Sequence, residues 1–545
     1  MNFLLPAGGI RVTTLESWAD APQLDRSFLE SRSALHSLCQ VSHNFNAVAT
    51  SYPYKIVVLK SRKDLICFFR TLLSARHLRP LVSSLVWVGV LSGLGALVQN
   101  VAQLGEAIED EEMERVASQY WIGIDWPPAV AEDISIIRRL NLDPSNSLTF
   151  RHFQIFGAIL GMTLQLESLF TTLGCVSPGV IMAGRYPECP ELLGIERLLA
   201  PAQWMYGEHE SISSVDLPTS SLRALKSLRT ITLEAHSGAA AQTNPPALVL
   251  RLFLEFCPCL ERIEIKASNH WRCLLTDQRR SEEPRPGVVH GNVKELILRW
   301  AYFPQSSLPV IGRVFPNLRR LYAEWGDESN YTSPNYGSPG MGWQSESDIS
   351  PGLAGLEQTL ELLHLTTKPG SSWVEPSFPS VLFPTLGRMT TLNHLTTETL
   401  WLFGKANDFT LDLESLLPPS LISLHLIDYW GVSEWDSFYP DFFDGSNQFE
   451  LLTKIMRHLH VGCYTFLSKL KAIRLTSPYF SGFFNRYTQY LSKGDDYRRK
   501  VQDFSDNFLR SFEEAGVEFS IAPYDTLEEN GQWSWSRVSS SPLIF

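Results

Sequence analysis

Seven copies of one short pattern, L-x-x-L-x-L, constrain this chain more than any other feature of it. They stand at Leu228/Ile231/Leu233, Leu260/Ile263/Ile265, Val293/Leu296/Leu298, Leu318/Leu321/Ala323, Leu360/Leu363/Leu365, Leu421/Leu424/Leu426 and Leu470/Ile473/Leu475, with fainter copies at Leu166/Leu169 and Leu392/Leu395. The starts at 228, 260, 293 and 318 are 32, 33 and 25 residues apart, the length of one strand, one turn and one helix. That spacing is a repeat period. Side chains of an extended segment alternate between two faces, so the apolar residues of each copy share one face, which a single unit cannot bury by itself. Stacked neighbours bury it for one another. The expected fold is α/β: a leucine-rich-repeat-like solenoid, with a curved parallel sheet and outer helices, preceded by a small helical segment.

A chain of 545 residues exceeds one ordinary core, and a solenoid meets that limit by adding repeats. A hydrophobic content of 44% against 19% charged residues places it among globular proteins. Its formal net charge of -12 argues against a nucleic-acid partner, since phosphate binding relies on clustered Lys and Arg. The eight cysteines form no C-x-x-C pair, which fits a reducing interior and a cytoplasmic or nuclear location. Cys257-Pro258-Cys259 lacks the second pair of ligands a zinc site needs and reads as packing. The start, MNFLLPAGGIRV, has no basic region before an apolar one and makes a poor signal peptide.

Residues 1–30 have no periodicity and read as a loosely ordered tail. From Ser33, Leu35, Leu38, Val41, Phe45 and Val48 fall at three- and four-residue steps, one face of an amphipathic helix, in a helical segment over 31–60 whose end, YKIVVL at 54–59, is strand-like. Residues 64–78 return to helical spacing. The segment 81–105 carries no charge over about the length of a bilayer span, so a membrane-anchored protein spanning there is one alternative. Its four glycines, three serines and internal Gln and Asn favour a buried strand at Val82/Leu85/Trp87 followed by a helix. The acidic run 106–119 reads as the solvated face of a helix. The solenoid is expected over 61–480, interrupted at 327–352 by a flexible insertion rich in Gly, Ser and Pro. Over 481–545 an amphipathic helix, a stop at Gly516 and a last strand read as a closing cap.

Catalytic signatures are few. Gly89-x-x-x-Gly93-x-Gly95 follows a strand-like run and resembles a phosphate-binding turn, but no Y-x-x-x-K accompanies it as in short-chain dehydrogenases. There is no G-x-x-x-x-G-K-[ST], no H-E-x-x-H and no G-x-S-x-G. No catalytic residue, cofactor or metal is expected. The residues between the apolar positions point to the concave side, and there Arg262, Glu264, Lys266, Glu295, Arg299, Arg320, Tyr322, Glu324, His364, His425 and Arg474 are the candidates for binding a partner. Mixed charge with aromatic and Arg anchors suits a protein.

The segment LHSLCQVSHNFNAVATSYPYKIVVL, Leu35 to Leu59, resembles the second half of an F-box: helical leucines, a V-x-x-x-F step and a trailing tyrosine before the first strand. The repeats behind it resemble the irregular leucine-rich repeats of fungal F-box proteins. That resemblance implies a non-catalytic substrate receptor that docks on a Skp-type adaptor of a cullin ubiquitin ligase and selects its target with the repeats. By the same resemblance Leu35, Leu38, Val41, Phe45 and Val48 carry the adaptor contacts or the packing beneath them. The usual L-P-x-E start is absent, since Leu5-Pro6 is followed by Ala7 and Gly8. A repeat scaffold without ligase coupling is therefore the other reading. The asparagine ladder of regular leucine-rich repeats is also missing, its places taken by His236, Ser268, Ala301, Gly326, Lys368, Tyr429 and Pro478.

Overall fold

In a computed structural model the chain divides into two compact units, Met1–Ser268 and Asn269–Phe545. The structure describes residues 54–59, 62–87, 159–160, 162–163, 165–173, 225–235, 253–254, 257–266, 289–299, 308–325, 353–367, 386–403, 413–428, 445–477, 480 and 494–523. The tail at 1–30, the helix expected from Leu35 to Val48, the glycines at 89, 93 and 95, the acidic run at 106–119, the insertion at 327–352 and the missing-asparagine positions lie outside them.

Five repeats begin one apolar step earlier than the pattern read from sequence. In Leu225-x-x-Leu228, Cys257-x-x-Leu260, Phe315-x-x-Leu318, Met389-x-x-Leu392 and Leu467-x-x-Leu470 the second apolar amide donates to the first carbonyl at 2.9–3.3 Å, a turn that reverses the chain beneath the sheet. The residue that follows the second apolar one is a corner whose carbonyl accepts two amides of the following repeat. Arg229 and Thr230 donate to Glu167 O at 2.8 and 3.0 Å, and Glu361 and Leu362 donate to Arg319 O at 2.7 and 3.0 Å. Corner by corner, this pair of hydrogen bonds sets the stagger of the strands.

The first unit holds β1 (Ile56–Leu59), α1 (Arg62–Ser74), β2 (Ser84–Trp87), β3 (Ser168–Leu173), β4 (Thr230–Ala235) and β5 (Arg262–Lys266). Its strands pair in parallel in chain order. Strand β2 occupies the start of the uncharged segment, between β1 and β3, which places Ser84–Trp87 in a sheet. Among the described residues no helix is long and apolar enough to cross a membrane.

The second unit holds β6 (Glu295–Arg299), α2 (Leu308–Val314), β7 (Arg320–Trp325), β8 (Leu362–Thr367), β9 (His394–Glu398), α3 (Thr399–Phe403), α4 (Leu413–Leu416), β10 (Ser423–Ile427), α5 (Gly445–Tyr464), β11 (Ala472–Ser477), α6 (Gly494–Glu514) and β12 (Glu518–Pro523). Again the order is sequential and parallel. A parallel pair needs a crossover of about a dozen or more residues rather than a hairpin, and the intervals between these strands are long enough to supply one. The architecture in both units is a parallel α/β stack of repeats.

Register aligns the apolar row Leu296, Leu321, Leu363, Leu395, Leu424, Ile473 and Phe519 across the second unit, and none of them is more than 7% exposed. Burying a Leu or Ile contributes about 1.5–3 kcal/mol, and a one-residue slip would turn the whole row to the other face. The last repeat closes with a phenylalanine face. Phe504, Phe508 and Phe512 fall four apart on α6 and are buried, Phe504 against Phe449 of α5 at 5.2 Å and Phe512 against Phe519 of β12 at 5.1 Å.

Candidate functional site

With the apolar rows turned inward, the intervening residues form rows on the opposite face of each sheet, where Glu324, Thr366, Glu398, Ile427 and Thr476 are buried and Tyr322, His364, Thr396, His425 and Arg474 are half-buried. In the second unit the central row reads Ile297, Tyr322, His364, Thr396, His425, Arg474 and Ser520 in register. Neighbouring strands lie about 4.8 Å apart, so planar groups in this row can stack. Two do: Tyr322 and His364 lie with ring centroids 3.8 Å apart and planes 18° from parallel. The Arg299 guanidinium sits over the Tyr322 ring, 5.1 Å from its centroid. Arginine over an aromatic face is a favourable electrostatic contact. Three of the residues expected to bind a partner are thus one column.

His364 also hydrogen-bonds through Nε2 with Thr366 Oγ1 at 3.1 Å, along its own strand. Two strands on, His425 Nε2 meets Thr476 Oγ1 at 2.9 Å, and His394 Nδ1 meets Ser423 Oγ at 3.0 Å. Burial, aided by the nearby Arg474, pulls the His425 imidazole down to about 3. His394 is lowered by burial and by Arg320, with Glu361 acting the other way. Both rings are neutral near pH 7. Beyond them, at the strand ends, Ser477 Oγ donates to the Asp428 carboxylate at 3.1 Å, and both side chains are buried.

The remaining candidates are placed as follows. Arg262 and Glu264 belong to β5 of the first unit and form an ion pair along the strand at 3.3 Å, and Lys266 ends that strand. Glu295 opens β6 and is half-buried. Arg320 is exposed at the start of β7. Arg474 stands half-buried in the middle of β11. Glu324 departs from the expectation of a solvated face residue, being only 7% exposed. The proposed adaptor residues Leu35, Leu38, Val41, Phe45 and Val48 lie outside the described residues.

Sequence reasoning passed over Thr366, His394, Thr396, Ser423 and Thr476, which hold or separate the face histidines. Their signal was available: each occupies an intervening position of a strand, where a hydroxyl or imidazole can face its neighbour across the ladder. What the column offers chemically is planar surface, fixed hydrogen-bonding groups and charge. Among the described residues no three His, Cys, Asp or Glu side chains are grouped as a metal site would need. Cys257 is buried and Cys259 exposed, and burial pushes the Cys257 thiol up, with Cys259 adding to the effect. Compared with known protein families, with curated proteins and with solved structures, the chain matches none.

Proposed function

We propose that this chain is a non-catalytic protein-interaction module, the substrate receptor of a cullin-type ubiquitin ligase, which binds its target on the face of the second unit's repeats opposite the apolar rows. One observation carries the binding half: the Arg299, Tyr322 and His364 column. Arg and Tyr are the residue types in which binding energy concentrates, and their preset stack removes part of the entropy lost on docking. The ligase half is supported by the F-box-like segment Leu35 to Leu59 and its adaptor candidates Leu38 and Phe45. A repeat scaffold without ligase coupling is the second reading, favoured by the Ala7-Gly8 that stands where an F-box start carries its acidic residue.

Affinity capture of the tagged full-length chain beside two variants tests both halves. The parent is expected to hold a Skp-type adaptor, cullin and a client. Leu38→Asp/Phe45→Asp loses adaptor and cullin but keeps the client, whereas Tyr322→Ala/His364→Ala loses only the client. Adaptor missing from every sample, with all three proteins folded, establishes the scaffold reading. A client indifferent to the Tyr322 and His364 changes would move recognition away from this face.

A further inference from the structure

Among the described residues, two guanidinium groups on this face of the second unit form no ion pair. Arg320 starts β7 and Arg474 stands in mid-β11, and neither takes part in the ion pairs found among the described residues. Arginines nearby are engaged. Arg319 pairs with Glu361 at 3.4 Å, and Arg299 stacks on Tyr322. Glu324 and Glu398 are only 7% and 6% exposed, and Glu295, which aligns with Arg320 from β6, and Glu518, which aligns with Ala472 from β12, form no ion pair with either arginine.

The register fixes how far apart the two cations are. Arg320 aligns through Leu362, His394 and Ser423 with Ala472, so Arg474 lies four strands across and two residues further along. At about 4.8 Å per strand and 3.3 Å per residue that is roughly 20 Å. An extended chain covers this in about six residues. Between the cations run Tyr322, His364, Thr396 and His425, side chains that can stack or hydrogen-bond.

We infer that this face takes an acidic protein segment lying extended across β7 to β11, with carboxylates about six residues apart on Arg320 and Arg474. This rests on the partner-binding reading above and gives its partner a chemistry. The neutral state of His394 and His425 concentrates positive charge at the two arginines. With a net charge of -12, the chain as a whole repels polyanions. Affinity for an acidic segment therefore comes from local pairing, which makes it selective for spacing.

Selection of a random dodecapeptide display library on the full-length protein tests the inference. The expected result is enrichment of peptides with two Asp or Glu about six positions apart. Binding of a selected peptide, followed by fluorescence anisotropy, should weaken about fivefold for Arg320→Gln and for Arg474→Gln, as one partly exposed ion pair each would give. Arg474→Lys should retain most of it. Circular dichroism of each variant establishes that it is folded. Peptides without acidic pairs, acidic peptides indifferent to both Gln variants, or no enrichment at all would overturn the inference. Displacement of the peptides by an oligothymidylate at equal concentration would overturn it in favour of a nucleic-acid ligand. If the selected peptides are not acidic but are lost in Tyr322→Ala/His364→Ala, this face still binds a protein and only its chemistry is wrong. Peptides indifferent to that variant as well bring down both readings.

Discussion

Thr397 stands where the repeat pattern calls for an apolar residue. It faces inward between Leu365 and Leu426, it is fully buried, and its Oγ1 has no hydrogen-bond partner. A buried hydroxyl without a partner costs about 1–3 kcal/mol of desolvation. Thr397→Val keeps the β-branched shape and removes that cost, so it should stabilise the protein by about 1 kcal/mol, read as a higher denaturant midpoint. His425 works in the opposite direction at low pH. Its folded-state pKa lies below the unfolded one, so between the two the unfolded chain binds a proton that the folded chain does not, and stability rises with pH through that window. The contribution is complete above the ordinary imidazole pKa of about 6.5 and is lost as pH falls from there toward about 3. His425→Gln should therefore flatten the fall in denaturant midpoint between pH 7 and pH 5, and an unchanged slope would show that the ring already titrates normally.

Among the elements, the end of α6 shows how one backbone position links helix to strand. Gly516 has φ 72° and donates to Glu513 O at 2.9 Å, while Val517 donates to Phe512 O at 2.9 Å, which closes the helix and turns the chain into β12. A Cβ built at Gly516 meets nothing within 4 Å, so any cost of a side chain there lies in the backbone alone. Gly516→Ala should lower stability by about 1–2 kcal/mol, measured by chemical denaturation. This helix was readable from Phe504, Phe508 and Phe512, whose spacing marks one face. The helices α2, α3 and α4, of 7, 5 and 4 residues, were not. So few turns carry too little periodicity, and segments this short are helical only because the repeat packs them.

At the scale of the molecule, each strand pairs only with its neighbours in chain order within its unit. Stability in such a stack is close to a sum of repeat and nearest-neighbour contributions. Ile473→Ala, which removes a fully buried side chain from β11, should speed amide hydrogen exchange in β10 to β12 well before it affects β1 to β3. Uniform acceleration throughout the chain would show that the two units unfold together.

Strand positions and their buried faces were legible in one strand at a time, because alternation and apolar character are local properties of a segment such as Leu360 to Leu365. The turn that starts five of the repeats was also written in the chain, at residues such as Leu225 and Phe315, but it is recognisable only once a hydrogen bond closes it. Which face residues meet was decided in three dimensions. Tyr322 stacks on His364, and His425 reaches Thr476 across 51 residues of chain, because corner carbonyls set the stagger between repeats of unequal length. The burial of Glu324, and the lack of an ion pair at Arg320 and Arg474 among the described residues, have the same origin. Alternation assigns a side chain to a face, but its neighbours on that face come from other repeats, and only strand pairing brings them there.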